Sequence, residues 1–450
     1  MLYLDRDRSS QNYYQIKHHT FSFAERIIYW TAILTPVWWL LGIQQLFYPL
    51  VMAGLLALVF DVSKLFRIDL PTAVWAWLAM SLIMLWTAFL GINSGGFELP
   101  SVAAALVTFI KSYFLIFACL ALPFFSTIRV QVVTRAVSWM SVGMLGNMIL
   151  QMGLLIVGVN DLKLTPPAAM LLPGEPPASM LIQSPLLSDF FNIPFPRTVL
   201  HTADPPILGV CGLLCFIICL AETDPRLRRL ALTGSLGSLI ISFSRSSWVG
   251  LPIFFLIFYL FRSKLATQLS LWAGTITFLL CTWLELTVKE LLQTPSQLFN
   301  DARASSSETR DLVVEATLKA WQEKPWLGWG IISGKAWLYE DEYITLGSFS
   351  TYAAVLYLNG IIGFIIFITA LILTLFFFYE PAIKGNILCQ RAFASLVVFY
   401  LLIQATPLSW MAIYLWFFFV WLGAIMKTIK EQTPVISNWQ QLSIKDKLRS

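Results

Sequence analysis

Between Leu230 and Phe261 the chain carries a single charge, Arg245, in the run Ser242-Phe243-Ser244-Arg245-Ser246-Ser247-Trp248. That stretch is longer than one helix needs to cross a hydrocarbon core of ~30 Å and just long enough for two short crossings. Arg226, Arg228 and Arg229 precede it, and Arg262 and Lys264 follow it. Cations in short loops collect on the cytoplasmic side, so both ends of the stretch are expected inside. The segment then folds as a helical hairpin with Arg245 at its tip on the outer face. An arginine held at the edge of lipid is costly and reads as a functional site. The competing reading is an interfacial anchor whose guanidinium snorkels to water.

The rest of the chain extends this pattern. Hydrophobic residues make up 58% and charged residues 12% of the 450 positions, and the mean hydropathy is +0.73, which excludes an ordinary soluble domain. The fold class expected is all-α: a polytopic membrane bundle of about twelve transmembrane helices. Apolar runs lie near 27–43, 45–60, 73–92, 102–125, 133–158, 206–221, 230–244, 246–261, 268–286, 352–379, 392–406 and 409–426. Residues 1–26 are polar and precede a first span without a clear cleavage pattern, so they read as a cytoplasmic segment. Residues 27–426 form the membrane domain and 427–450 a basic cytoplasmic tail. Each expected inner loop holds at least two cations (Lys64 and Arg67; Arg129 and Arg135; 226–229; Arg262 and Lys264; Lys384 and Arg391), whereas the outer turns around Asn93 and Pro407 hold none. The net charge of +5 is therefore read as orientation and contact with anionic lipid, with no role for nucleic acid. Cys211, Cys215 and Cys219 recur every four residues on one helix face, a packing pattern without metal-ligand spacing.

Two long segments interrupt the spans, 159–205 and 287–351, and the parity places both outside. The first is proline-rich and still apolar, which rules out a regular helix or a central strand. It is expected to lie along the outer interface as a lid or groove wall, the alternative being a disordered linker. Its end, Pro196-Arg197-Thr198-Val199-Leu200-His201-Thr202-Ala203-Asp204-Pro205-Pro206, sets a cation, an imidazole and a carboxylate close together. Arg197 and Asp204 are candidate substrate-binding residues. His201, the one histidine apart from His18 and His19, is the candidate general base because its unperturbed pKa lies near neutrality. Against this, Asp204 ahead of two prolines is also an ordinary cap signal, and a lone histidine is often a bystander.

The second segment predicts a helix from the serines at 305–307, with Ser305 and Glu308 in capping-box spacing, through the stripe Leu312, Val313, Ala316 and Ala320, to a stop at Pro325 and Gly328. Arg310 is expected in its first turn, where the helix dipole disfavours a cation and a bound anion would resolve the conflict. The alternative is a solvated arginine paired with Glu308 or Asp311. Lys319 on the same helix joins the candidate binding set. Glu340, Asp341 and Glu342 form an acidic run, read as solvated or as hiding a carboxylate base. Lys111, near the middle of the fourth span, is expected to face the bundle interior and completes the binding candidates.

Three features together resemble the O-antigen ligase and polymerase superfamily of lipid-linked glycan enzymes. They are Ser244-Arg245-Ser246-Ser247-Trp248; the run Arg310-Asp311 through Trp321-Gln322-Glu323-Lys324-Pro325-Trp326-Leu327-Gly328-Trp329-Gly330; and Gly347-Ser348-Phe349-Ser350-Thr351-Tyr352 leading to Leu358-Asn359-Gly360-Ile361-Ile362-Gly363. The resemblance covers mainly 200–380. It implies a glycosyltransferase C-like membrane fold that needs no metal or other cofactor. It also implies transfer of a glycan from a polyprenyl pyrophosphate carrier at the outer face of the bacterial inner membrane, for lipopolysaccharide O-antigen, capsule or exopolysaccharide. By that resemblance Arg245 and Arg310 would grip the pyrophosphate, the leaving group that guanidinium forks suit; from the residues themselves Arg197 is read as assisting binding, and the base as His201 or a carboxylate such as Asp204, unless the acceptor needs no strong base. The partners implied are a lipid-linked oligosaccharide donor, a glycan acceptor, membrane lipid, and export or flippase proteins. One departure stands out: ligases of the family carry a histidine where Phe349 stands, and a phenyl ring cannot accept a proton. This favours polymerisation of a repeat over ligation to a lipid core. The rival readings are an inorganic-carbon transporter, with Lys111 and Arg245 lining an anion path, and an inactive scaffold.

Overall fold

An apolar chain in lipid has to close its backbone hydrogen bonds within each segment, which favours helix throughout. The computed structural model describes residues 21–61, 68–95, 99–159, 162–171, 180–190, 193–262, 268, 304–339 and 342–447, and most of them are helical. In order these are α1 (Phe23–Ile33), α2 (Thr35–Leu41), α3 (Gln44–Val59), α4 (Thr72–Gly95), α5 (Leu99–Lys111), α6 (Tyr113–Phe125) and α7 (Val130–Ile156). After the first long segment come α8 (Pro205–Cys219), α9 (Pro225–Ile241) and α10 (Arg245–Arg262), then α11 (Ala304–Glu323), α12 (Thr351–Ile383), α13 (Ile387–Leu402), α14 (Leu408–Met411) and α15 (Trp416–Lys447).

The expectation of about twelve transmembrane helices in an all-α chain is corrected on both counts. Among the described residues five helical stretches are long and apolar enough to cross a membrane: Thr72–Asn93, Leu99–Phe125, Val130–Ile156, Thr351–Ile383 and Leu408–Gln432. Apolar composition does not fix helix length, and the two part company here. The run at 27–43 is cut at Leu34 into helices of 11 and 7 residues. The runs near 45, 206 and 392 form helices of 16, 15 and 16 residues, about 24 Å at 1.5 Å per residue, short of a ~30 Å core. In the 230–261 hairpin, α9 spends its first turns on Arg226, Arg228 and Arg229, and α10 has an arginine at each end. The expected run at 268–286 lies outside the described residues, apart from 268. The long segments, moreover, contain three small antiparallel sheets: β1 (Lys163–Leu164) with β2 (Ile182–Gln183), β3 (Leu186–Phe190) with β4 (Ile193–Arg197), and β5 (Lys335–Tyr339) with β6 (Glu342–Thr345). Pro194 and Pro196 are tolerated in β4 because they alternate, so both missing N–H groups fall on the outer edge of a two-stranded ribbon.

The start of α15 is the axis of the bundle. Trp416, Phe417, Phe418, Phe419 and Trp421 are all buried, as expected of a helix that is apolar all round. Beside it α7, α8 and α9 pack through small residues, Ser141 of α7 against Gly234 of α9 and Gly212 of α8 against Ser235 of α9, which lets backbones approach closely without large apolar side chains. The sulfurs of the Cys211, Cys215 and Cys219 face are buried in this packing.

The ends of the bundle differ in chemistry. At one end Arg129 binds Glu25, Arg135 binds Glu222, and Lys427 donates to the Ser126 carbonyl. At the other end lie the first long segment and the hairpin tip. Ala168 N donates to Leu41 O, Gln151 Nε2 to Gln183 O, and Thr198 hydrogen-bonds Gln151. The described residues of the segment 163–204 are thus fastened across the ends of α2 and α7 as a cover.

Candidate functional site

The hairpin forms as the sequence implies: α9 ends at Ile241 and α10 opens on Arg245. Between them Phe243 adopts φ 47°, a left-handed conformation that is unfavourable for a bulky residue and that collects at functional sites. Its ring is held between Phe195 and Trp248, with centroids 5.2 and 5.5 Å away, and Trp248 Nε1 donates to Leu239 O at 2.8 Å. The serines close the tip. Ser244 and Ser247 hydroxyls lie 3.0 Å apart, and Ser244 N donates to Ser242 Oγ at 3.2 Å. The tip seats directly on α8 at Gly209, where a Cβ would come within 2.6 Å of Ser244 Cβ and 2.7 Å of Ser247 Oγ.

Arg197 is brought to this tip. Its Nε donates to the Ser242 carbonyl at 3.0 Å, three residues before Arg245. Arg197 and Asp204 also share the wall of a cavity of about 430 Å³ between the cover segment and the start of α8. Asp204 occupies the N-cap position of α8, as the following prolines suggest, yet its side chain makes no capping bond.

His201 lies between these two residues in sequence but not in the cavity. It is 2% exposed, edge-on to Trp39 at 5.3 Å, and neither ring nitrogen has a hydrogen-bond partner among the described residues. Burial pushes its pKa down to about 3, so the ring is neutral at physiological pH and its proton affinity is low. The preceding Leu200 is the other non-glycine residue with positive φ among those described. The geometry supports a structural part for this histidine more than proton transfer.

Arg310 stands in a different setting. Because α11 begins at Ala304, the serines at 305–307 lie inside it and Arg310 falls in the second turn, so the dipole conflict expected of a first-turn cation is relieved by position. The guanidinium carbon lies 5.4 Å from the centre of the Phe349 ring, a cation–π contact. Val313, buried on the same face, joins Ala336, Leu346 and Tyr357 in a small core, with Ala316, Ala320 and Phe349 against it, while Leu312 points outward. Gly347 N donates to Thr317 Oγ1 at 3.0 Å, and Ser350 caps α12. The departure from the family pattern, Phe349, is therefore in contact with one of the two expected diphosphate ligands.

The Trp326 to Gly330 turn, weak as a motif, has a definite job. Helix α12 is broken at Gly360 (φ 62°, ψ −167°), and the turn fills the break. Trp329 N donates to Tyr357 O and Gly330 N to Leu358 O, both at 2.8 Å, while Ile361 N donates to Pro325 O at 2.8 Å. Asn359 Nδ2 donates to Thr87 Oγ1 at 2.6 Å, tying the joint to α4. The carbonyls of Tyr357 and Leu358 and the N–H of Ile361 thus find partners in the turn, as irregular backbone beside a membrane span requires.

Lys319 and Lys111 stand apart from these groupings. Lys319 is exposed on an open groove of α11 beside Asp311 and Glu315. Lys111 ends α5 where the chain breaks at Ser112 (ψ −114°); it is half-buried, with no ion pair or hydrogen bond among the described residues. Glu340 and Asp341 lie outside the described residues. Among the described residues no three histidine, cysteine or acidic side chains converge to hold a metal. What the sequence reading missed is the far wall of the cavity, Gln183, Ser184 and Leu187. Nothing local marks them, because β2 and β3 reach the cavity only through the fold of the cover.

Fold and site together define a largely helical, multi-pass membrane protein with arginines at helix ends. Residues 230–368 carry an O-antigen ligase domain: that stretch matches the family model of this description, and it spans Arg245, Arg310, Phe349 and the Gly360 joint. A search of the curated proteins finds no match.

Proposed function

We propose that the protein is a membrane glycosyltransferase that polymerises or transfers an oligosaccharide carried on polyprenyl pyrophosphate, with polymerisation ahead of ligation. The observation that carries this is Arg245, fixed at the first residue of an 18-residue helix on a tip braced by serines and Arg197. A guanidinium and a helix N-terminus presented together suit a diphosphate. Arg310, inside the same domain match, adds a second cation. In this reading the oxygen of an acceptor hydroxyl bonds the anomeric carbon as the bond from that carbon to the diphosphate oxygen breaks, the hydroxyl proton passes to the departing diphosphate, and the arginines stabilise the charge that develops on the leaving group. The end that holds Arg129, Arg135 and Lys427 then faces the cytoplasm, and the cover faces outward.

The test is deletion of the gene followed by gel analysis of surface polysaccharide. Wild type restores long chains. Arg245→Ala is expected to lower transfer by about 10²–10³-fold, the usual loss when one transition-state donor is removed, leaving single repeats. Full chain length with Arg245→Ala overturns the assignment. Phe349→His keeps an aromatic face under Arg310 and retains chains, whereas Phe349→Ala shortens them.

A further inference from the structure

We propose that Arg262 and Arg391 form a site for the phosphodiester headgroup of an anionic phospholipid, at the end of the bundle opposite the Arg245 tip. This goes beyond the reading above and does not depend on the transferase chemistry. Helix α10 opens on Arg245 and closes on Arg262. Helix α13 runs antiparallel to it: a Cβ on Gly250, near the start of α10, would meet Val398 in the later part of α13, whereas Arg262 at the end of α10 shares a ring with Arg391 near the start of α13. Cations from two connections that are far apart in sequence are thus brought together.

The shared ring is Phe258, whose centre lies 5.9 Å from the guanidinium carbon of Arg262 and 6.0 Å from that of Arg391. Each contact is weakly attractive, but two cations at one ring repel each other, the more so where water is partly excluded. An anion between them reverses the sign. Phosphate oxygens suit, because guanidinium forks bind them through paired N–H donors. The fold itself holds the pair. Gln390 is buried, and its Nε2 donates to Ala382 O at 3.0 Å and to Phe261 O at 3.4 Å. The residues just before the two arginines are therefore joined directly, and the end of α12 is tied in with them. Glu380 is the one acidic residue between Tyr352 and Lys430, and Lys384 pairs with it at 2.6 Å.

The rim of the site favours a lipid over a soluble anion. Tyr259, Tyr379, Ile383 and Ile387, on the same helix ends, are all exposed. The Tyr379 ring lies 5.7 Å from Phe393, which in turn lies 5.1 Å from Phe261, so this rim adjoins the arginines. Tyrosines belong at headgroup level, with an apolar ring and a polar tip, and exposed isoleucines suit acyl chains. Basic pockets between helices on the cytoplasmic side are the usual seat of anionic headgroups, and the orientation proposed above puts this end there. The diffuse attraction expected of inner-loop cations becomes a discrete site.

The experiment uses the full chain, stripped of lipid in detergent micelles, with dioleoyl phosphatidylglycerol as the probe. Binding to the native state raises the melting temperature, so a titration yields the half-saturating concentration. That concentration is expected to rise about fivefold in Arg262→Gln and again in Arg391→Gln, which is what roughly 1 kcal/mol per arginine near an anionic surface amounts to. Arg391→Lys keeps the charge and should lose less than Arg391→Gln. Arg226→Gln, which removes an exposed cation from another connection at the same end, should leave the concentration unchanged. Arg262 is exposed at a helix end, so Arg262→Gln decides the matter even where Arg391→Gln lowers stability by itself. Four results overturn the site. One is a half-saturating concentration for Arg262→Gln equal to that of wild type. Another is an equal loss in Arg226→Gln, the sign of a diffuse basic surface. A third is equal stabilisation of wild type by dioleoyl phosphatidylcholine, the sign of acyl contact alone. The last is stabilisation by inorganic phosphate at the same concentrations, which would make this a soluble-anion site.

Discussion

Gly360→Ala is expected to destabilise the protein by about 3–5 kcal/mol, combining the strain of a backbone region open essentially to glycine alone with overpacking. At φ 62° and ψ −167° an L side chain is strained whatever surrounds it, and here a Cβ would overlap the Trp326 carbonyl. That carbonyl belongs to the turn filling the break in α12, so the substitution separates the turn from the helix and leaves backbone groups of both without partners. Gly330→Ala should behave alike, since its Cβ would overlap the Thr87 carbonyl of α4 at φ 73°. Thermal unfolding in detergent followed by tryptophan fluorescence checks this, with Trp326 and Trp329 reporting from the joint. Two controls divide the cause. Gly385→Ala has positive φ but open space and should lose only about 1–2 kcal/mol. Gly54→Ala, inside α3 with nothing within 4 Å, should gain up to about 1 kcal/mol from helix propensity. If Gly360→Ala melted with Gly54→Ala, the joint would not be a stabilising element. The consequence for function follows from connectivity: α11, which carries Arg310, is anchored at its C-terminal end by this turn.

The contrast between this joint and the Arg245 tip shows which information is local. A lone arginine flanked by apolar runs of limited length has few ways to fold, so the tip and the start of α10 at Arg245 were readable from hydropathy and charge. The helix around Arg310 was readable too, but its start was placed too late, since the serines at 305–307 can cap a helix or lie within one. That shift moved Arg310 out of the first turn. The span count failed for a related reason. Hydropathy counts apolar residues, whereas crossing a bilayer needs unbroken helix, and the turn at Leu34 and the 15-residue α8 satisfy the first without the second. The Gly360 break, the Phe349 contact with Arg310 and the wall at Ser184 each depend on segments tens of residues apart in sequence. Glycine at 328, 330 and 360 is visible in the chain, but whose backbone each of them meets is a property of packing.

Acidification is expected to loosen the ion-paired end of the bundle. Glu25 is 1% and Glu222 3% exposed. Burial alone would raise both carboxyls, but it is outweighed. Glu25 accepts from Arg129 Nε at 2.7 Å and Nη2 at 2.8 Å, and from the backbone N–H of Ser22 and Arg129. Glu222 accepts from Arg135 Nη2 at 2.8 Å and from the N–H groups of Thr223 and Asp224. Both carboxyls end below the ordinary range. A carboxyl depressed on folding stabilises above its unfolded value of about 4.3, and that contribution is lost as pH falls through the folded value. Melting temperature should therefore hold between pH 7 and 5 and drop below about pH 4. Arg135→Met gives the sharper result. It leaves Glu222 buried without its cation, a loss of about 2–3 kcal/mol at neutral pH; the 3–5 kcal/mol typical of a broken buried pair is discounted because Arg135 is 36% exposed. With the arginine gone, burial dominates and the Glu222 carboxyl rises, so the sign of its pH dependence reverses. The variant should then gain stability relative to wild type as pH falls from 7 toward 4, and Glu222→Gln in the same background should remove that gain. A parallel pH profile for Arg135→Met and wild type would mean that the backbone N–H groups alone hold the Glu222 carboxylate and that the arginine is incidental to it.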